Sequence, residues 1–201
     1  CSFCSVKDRS EVSGGVTNTI ELGKIDSYLS ELTSRGLKAV ILSGGGEPTT
    51  YRDSQGNDFR DLISTIEGHG LELGLITNGT FLQKYSEDFK DNLRWVRVSL
   101  YPSEYGLGRI NLGESLPPET TLGFSLIVAK NPLKKKSPRP DENILEEYRT
   151  YMREIMPFME ESGGEYLRIA PDCHTHGEEF VVLHDVAEAL KKEFSGSQIQ
   201  E

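Results

Sequence analysis

The chain has 201 residues, 22 Lys and Arg against 32 Asp and Glu, a formal net charge of −10, and 36% apolar residues. With 20 glycines and 9 prolines it is neither collagen-like nor low-complexity, and its length suits one globular domain. No apolar run approaches the roughly 18 residues of a membrane helix, no basic-then-apolar leader is visible, and the acidic balance disfavours nonspecific binding to phosphate backbones.

In chain order, the first feature is Cys1-Ser2-Phe3-Cys4, a C-x-x-C pair followed by a polar, loop-like stretch from Ser5 to Gly15. Ile25, Tyr28, Leu29 and Leu32 then repeat at helical spacing, and Leu37 to Leu42 reads as a strand. Ser43, Gly44, Gly45, Gly46, Glu47 and Pro48 follow that strand. A second helix is predicted from Phe59, Leu62, Ile63 and Ile66, and a second strand over Leu71 to Thr77, ending at Asn78-Gly79. Phe81, Tyr85, Phe89 and Leu93, each four apart, predict a third helix before the strand Trp95 to Leu100. Tyr101 to Thr121 is rich in Gly and Pro and predicts an irregular crossover. The strand Leu122 to Ala129 leads to Lys130 and Asn131, and Lys134 to Lys136 with Pro138 and Pro140 read as a solvated loop. Ile144, Tyr148, Tyr151, Met152 and Ile155 form a helical stripe whose end Pro157 should disturb. Tyr166 to Ala170 is the fifth strand, and Val182, Val186, Leu190 and Phe194 mark a last helix before the polar SGSQIQE.

Alternating strands and helices imply an α/β fold with a parallel sheet and helices outside it. In such folds ligands collect at the carboxyl ends of strands. Those ends here are rich in glycine and polar residues, as a binding rim should be. The glycine turn lets backbone groups approach a ligand closely, and Glu47 adds an acceptor for a cation. It is no phosphate loop, because no Gly-Lys-Ser/Thr follows and a carboxylate repels phosphate. A plain tight turn between strand and helix accounts for it equally well. The C-x-x-C pair is open among zinc, a thiol–disulfide couple and an iron–sulfur cluster. Three cysteines make no disulfide framework, and an odd number with one close pair favours intracellular metal or redox chemistry.

Taken together, these segments resemble radical S-adenosylmethionine enzymes. Their C-x-x-x-C-x-Φ-C motif, with Φ aromatic, is matched in its last four positions by Cys1, Phe3 and Cys4. Gly45, Gly46, Glu47 and Pro48 match the family's Gly-Gly-Glu segment, and LITNGT and RVSLY look like the next two strand ends. The resemblance runs from Cys1 to about Cys173. It implies a partial (β/α)6 TIM-like barrel with parallel strands, truncated at its N-terminus. The first strand and the first cluster cysteine would lie upstream. Residues 1–194 would form the core, and 195–201 a polar tail or the start of a further segment.

By the same resemblance, Cys1 and Cys4 are ligands of a [4Fe–4S] cluster, and S-adenosylmethionine is the second cofactor. Gly45, Gly46 and Glu47 would hold its methionine amino group, Phe3 would lie near the adenine, and Ser99 and Asn131 would face the ribose. The implied reaction is reductive cleavage to a 5′-deoxyadenosyl radical that takes hydrogen from an unknown substrate. The implied partner is a reductant such as flavodoxin or ferredoxin, and the implied setting is the cytoplasm, without membrane association. A catalytic base or acid is not identified. Two alternatives stand beside this reading. Cys173, His174 and His176, with Asp172 or Asp185, suit a zinc hydrolase on a barrel. A barrel that binds S-adenosylmethionine without catalysis is the other.

Overall fold

A computed structural model describes residues 19–43, 46–89, 91–100, 107, 110, 112, 116–129, 144–172, 175–195 and 199–200. The chain divides into two compact units, residues 6–97 with 110–121, and residues 1–5, 98–109 and 122–201.

In the first unit, α1 (Leu22–Ser34) precedes β1 (Ala39–Leu42), and α2 (Phe59–Gly68) connects β1 to β2 (Glu72–Thr77). β3 spans Leu93–Leu100, of which residues 93–97 belong to this unit, and the three strands are neighbours in that order. β1 and β2 are parallel, with Ala39 opposite Glu72 and Leu42 opposite Leu75. A parallel pair needs a long crossover, which α2 supplies. That helix starts cleanly because Asp58 and Asp61 form a reciprocal capping box. Its buried stripe is Phe59, Leu62, Ile63 and Ile66, the four residues that the spacing predicts. They share the unit's core with Leu73, Leu75, Val96 and Tyr85. Phe59 meets Tyr85 edge-on at 5.0 Å and Phe89 at 6.3 Å. On the sheet's other face, the Trp95 ring stands 2.5 Å from where a Cβ on Gly74 would be, so glycine is needed there.

The second unit holds β4 (Thr121–Val128), α3 (Ile144–Glu161), β5 (Tyr166–Pro171), α4 (Gly177–Glu193) and the short β6 (Ile199–Gln200). β4, β5 and β6 are parallel neighbours, with Gly123 opposite Tyr166 and Val128 opposite Pro171. Phe124, Leu126, Tyr148, Met152, Leu167, Leu183 and Leu190 are sealed in its core. Glu178 and Glu179 in the first turn of α4, and Lys191 and Lys192 in its last, match the helix dipole.

Four details depart from the sequence expectations. The segment with Phe81, Tyr85 and Phe89 is no α-helix but a 3₁₀ stretch over Gln83–Asp88, and Leu93 already begins β3. Its bonds run i to i−3, Lys84 N to Phe81 O and Tyr85 N to Leu82 O. Leu82 therefore goes inside, and Phe81 stays 42% exposed. Helix α3 runs through Pro157 to Glu161, because buried Ile155 and Met159 hold the turns on either side. In α1 the predicted stripe is buried at Leu29 alone, while Tyr28 is 58% and Leu32 44% exposed. In α4 Leu183, not Val182, enters the core. No helix among the described residues is long and apolar enough to cross a membrane.

Candidate functional site

The carboxyl ends of β1 and β2, both in the first unit, meet at one carboxylate. After β1 the chain turns at Gly46, whose φ of +140° is rarely open to a residue with a side chain. A Cβ placed there would meet nothing within 4 Å, so the glycine serves the backbone conformation and leaves open space beside the turn. Glu47 follows, half-buried, as the N-cap of the 3₁₀ turn Pro48–Thr50. Pro48 suits that first position because its fixed φ fits and no N–H is lost.

The Glu47 side chain caps its own turn and reaches across to β2. Oε1 accepts from Thr49 N at 3.3 Å and Thr49 Oγ1 at 2.7 Å. It also accepts from the hydroxyl of Thr77, the last residue of β2. Oε2 accepts from Asn78 N at 2.7 Å. Thr49 and Thr77 are each 2% exposed. Thr77 Oγ1 in turn accepts from Gly79 N at 3.1 Å, and Asn78 Oδ1 accepts from Thr80 N at 2.8 Å. Gly79 has φ +80°, so Asn78-Gly79 is the turn that the sequence suggests.

Asp53, in the loop that follows the 3₁₀ turn, is 6% exposed. Its oxygens accept from Leu22 N, Gln55 N, Asn57 N and Asn57 Nδ2 at 2.8–3.0 Å. Burial pushes its pKa up, but the Asn57 amide and the three backbone N–H groups outweigh that and hold it at about 2. The carboxylate thereby ties the start of α1 to the loop after the glycine turn.

The other candidates fall as follows. Ser99 is half-buried, one residue from the end of β3, between buried Val98 and Leu100. Asn131, Gly45, Cys1, Phe3 and Cys4 lie outside the described residues. So do Cys173 and His174. Of the zinc alternative, His176 is exposed at the N-cap of α4, Asp172 is buried after β5, and Asp185 is exposed on α4. Among the described residues no three of His, Cys, Asp and Glu are grouped to hold a metal. His69 caps the end of α2 and sits 2.8 Å from Asp26, and His184 lies within α4. The sequence singles out Thr77 only as part of LITNGT, and Thr49, beside the glycine–glutamate motif, not at all; neither neighbourhood reveals that both hydroxyls turn to the same carboxylate.

Comparison with known proteins adds the family context. The model of the Radical SAM superfamily matches residues 1–101. A "Probable GTP 3′,8-cyclase" of Methanococcus maripaludis is 33% identical over 102 residues, 50% of this chain and 31% of that one. A GTP 3′,8-cyclase of Campylobacter fetus is 24% identical over 191 residues, 89% of this chain and 54% of that one. The chain thus spans about a third to a half of the length of the curated relatives it matches. In fold it is similar to Streptococcus suis SuiB, solved with S-adenosylmethionine bound. The TM-score is 0.53 at 14% identity, over 90% of this chain and 42% of SuiB.

Proposed function

The chain belongs to the radical SAM superfamily, and from that premise we propose that it is the core of an enzyme that cleaves S-adenosylmethionine reductively at a [4Fe–4S] cluster. When bound, the two groups supply a 5′-deoxyadenosyl radical that takes hydrogen from the substrate. All other work falls to the polypeptide, which must bind, orient and shield.

The residues present fit such groups in two respects. Cys1 and Cys4 are thiolate donors of the kind iron–sulfur clusters take. The turn at Gly46 has open space beside it and a backbone free of any side chain, where a ligand can approach. We assign Gly45, Gly46 and Glu47 to the methionine amino group. Among the described residues three donors converge on Glu47 Oε1, whereas Oε2 accepts one bond, from Asn78 N. A carboxylate oxygen has two lone pairs, so Oε2 keeps acceptor capacity for an ammonium group. Phe3 is assigned to the adenine and Ser99 and Asn131 to the ribose. A one-electron donor such as flavodoxin or ferredoxin completes the system.

The single observation that carries this reading is the meeting of the Gly46-Glu47 turn with the Thr77-Asn78-Gly79 turn at one carboxylate. The cyclases named above make GTP the first substrate to try.

The test uses the full-length protein, purified without oxygen and reconstituted with iron and sulfide. Under reduction it should release 5′-deoxyadenosine from S-adenosylmethionine, and Cys4→Ala should abolish that release. Undiminished release by Cys4→Ala would remove the cluster assignment.

A further inference from the structure

We propose that Thr77 is a positioning residue for the cofactor site: its buried hydroxyl orients the Glu47 carboxylate and so locks the glycine turn after β1 to the end of β2. This rests on the reading that the Glu47 turn binds S-adenosylmethionine.

The hydrogen-bond direction is fixed by what a threonine hydroxyl has to give. It carries one proton and two lone pairs. Gly79 N–H occupies a lone pair at 3.1 Å, and the proton goes to Glu47 Oε1. Thr77 is 2% exposed, so water offers its hydroxyl no substitute partner. Thr49, also 2% exposed, takes the second lone pair of the same oxygen with its hydroxyl at 2.7 Å, and its backbone N–H lies further off at 3.3 Å. Oε1 is thereby committed to the protein, and Oε2 is left as the oxygen with a lone pair to offer. Without Thr77, the carboxylate loses its side-chain tie to the β2 end and is held by Thr49 and the Asn78 N–H alone, a looser set that fixes its two oxygens less firmly. The hydroxyl thus acts on a ligand through Glu47 without touching it. A hydrogen bond to a charged group in a buried setting is among the stronger ones, so its loss should be felt as about tenfold in affinity.

The experiment compares Thr77→Val, which keeps the shape, with Thr77→Ser, which keeps the hydroxyl. Both are made in the full-length reconstituted protein, together with Glu47→Ala and the Thr77→Val/Glu47→Ala pair. Two quantities are read: S-adenosylmethionine affinity by equilibrium dialysis, and amide hydrogen exchange across residues 77–80. Thr77→Val is expected to weaken binding about tenfold and to speed exchange at the Asn78 and Gly79 amides about tenfold. Thr77→Ser should restore both, and in the Glu47→Ala background Thr77→Val should weaken binding no further. Unchanged affinity with faster exchange would make the contact a fold device and overturn the proposal, as would losses that simply add in the pair. A wild-type protein that binds no S-adenosylmethionine would instead remove the underlying reading. The exchange contrast would still report whether the latch exists, so the two failures are told apart.

Discussion

At Gly46 the backbone has a φ of +140° with no atom within 4 Å of a would-be Cβ. Steric crowding therefore plays no part in its choice, and the cost of any replacement is conformational. Gly46→Ala should lower stability by about 1–3 kcal/mol, the usual range for a non-glycine residue held in such a region, read from urea denaturation midpoints. A variant as stable as the wild type would show that the turn relaxes to a different conformation. The neighbouring glutamate shows how far a residue can be understood locally. That Glu47 caps the 3₁₀ turn follows from its position before Pro48. That it also accepts from Thr77 depends on a contact 30 residues away in sequence, which no spacing rule supplies.

Among the elements, the ties between segments are made by buried polar groups. Asp53 holds the first N–H of α1 from a loop 31 residues further on. Its carboxyl is depressed from 3.8 to about 2, so it binds a proton more weakly folded than unfolded. The stability it provides is therefore complete above 3.8 and lost as pH falls through about 2. Asp53→Asn is expected to lower stability at neutral pH and to flatten the decline over that acid window, measured by denaturation at a series of pH values. An unaltered acid decline would show that other carboxylates set it. Tyr148 of α3 makes a comparable tie. Its hydroxyl accepts from Ala129 N at 2.8 Å and donates to Ile127 O at 3.0 Å, at the end of β4. Burial pushes the Tyr148 phenol well above its ordinary pKa and keeps it neutral, so it serves as both donor and acceptor. The sequence shows Tyr148 as one apolar mark in a stripe. Its polar task appears only when β4 lies beside the helix. The 3₁₀ stretch after β2 departs from the sequence expectation for a related reason. Four-residue spacing is compatible with a helix, but the turns at Lys84 and Tyr85 close three residues back.

In the whole molecule each unit has its own core. Phe59 in the first and Phe124 in the second are both fully buried. Phe59→Ala and Phe124→Ala should each cost about 3–5 kcal/mol, since each removes a buried ring and leaves a void. Far-UV circular dichroism during urea unfolding, with the fluorescence of the sole tryptophan, Trp95, would check it. A loss below about 1 kcal/mol in either variant would mean that its core repacks.

The amino-acid sequence by itself determined the α/β class, the five longer strands to within two residues of their ends, and the turns at Glu47 and Asn78. These follow from short-range chemistry: apolar period, β-branching, and glycine and proline at strand ends. Tertiary structure alone decided that Thr49, Thr77 and Asn78 share the Glu47 carboxylate, that Asp53 holds α1, and that Leu82 and Leu183 enter the cores. Hydrogen bonds and burial depend on distance in space, and folding sets that distance between residues that lie tens of positions apart in the chain.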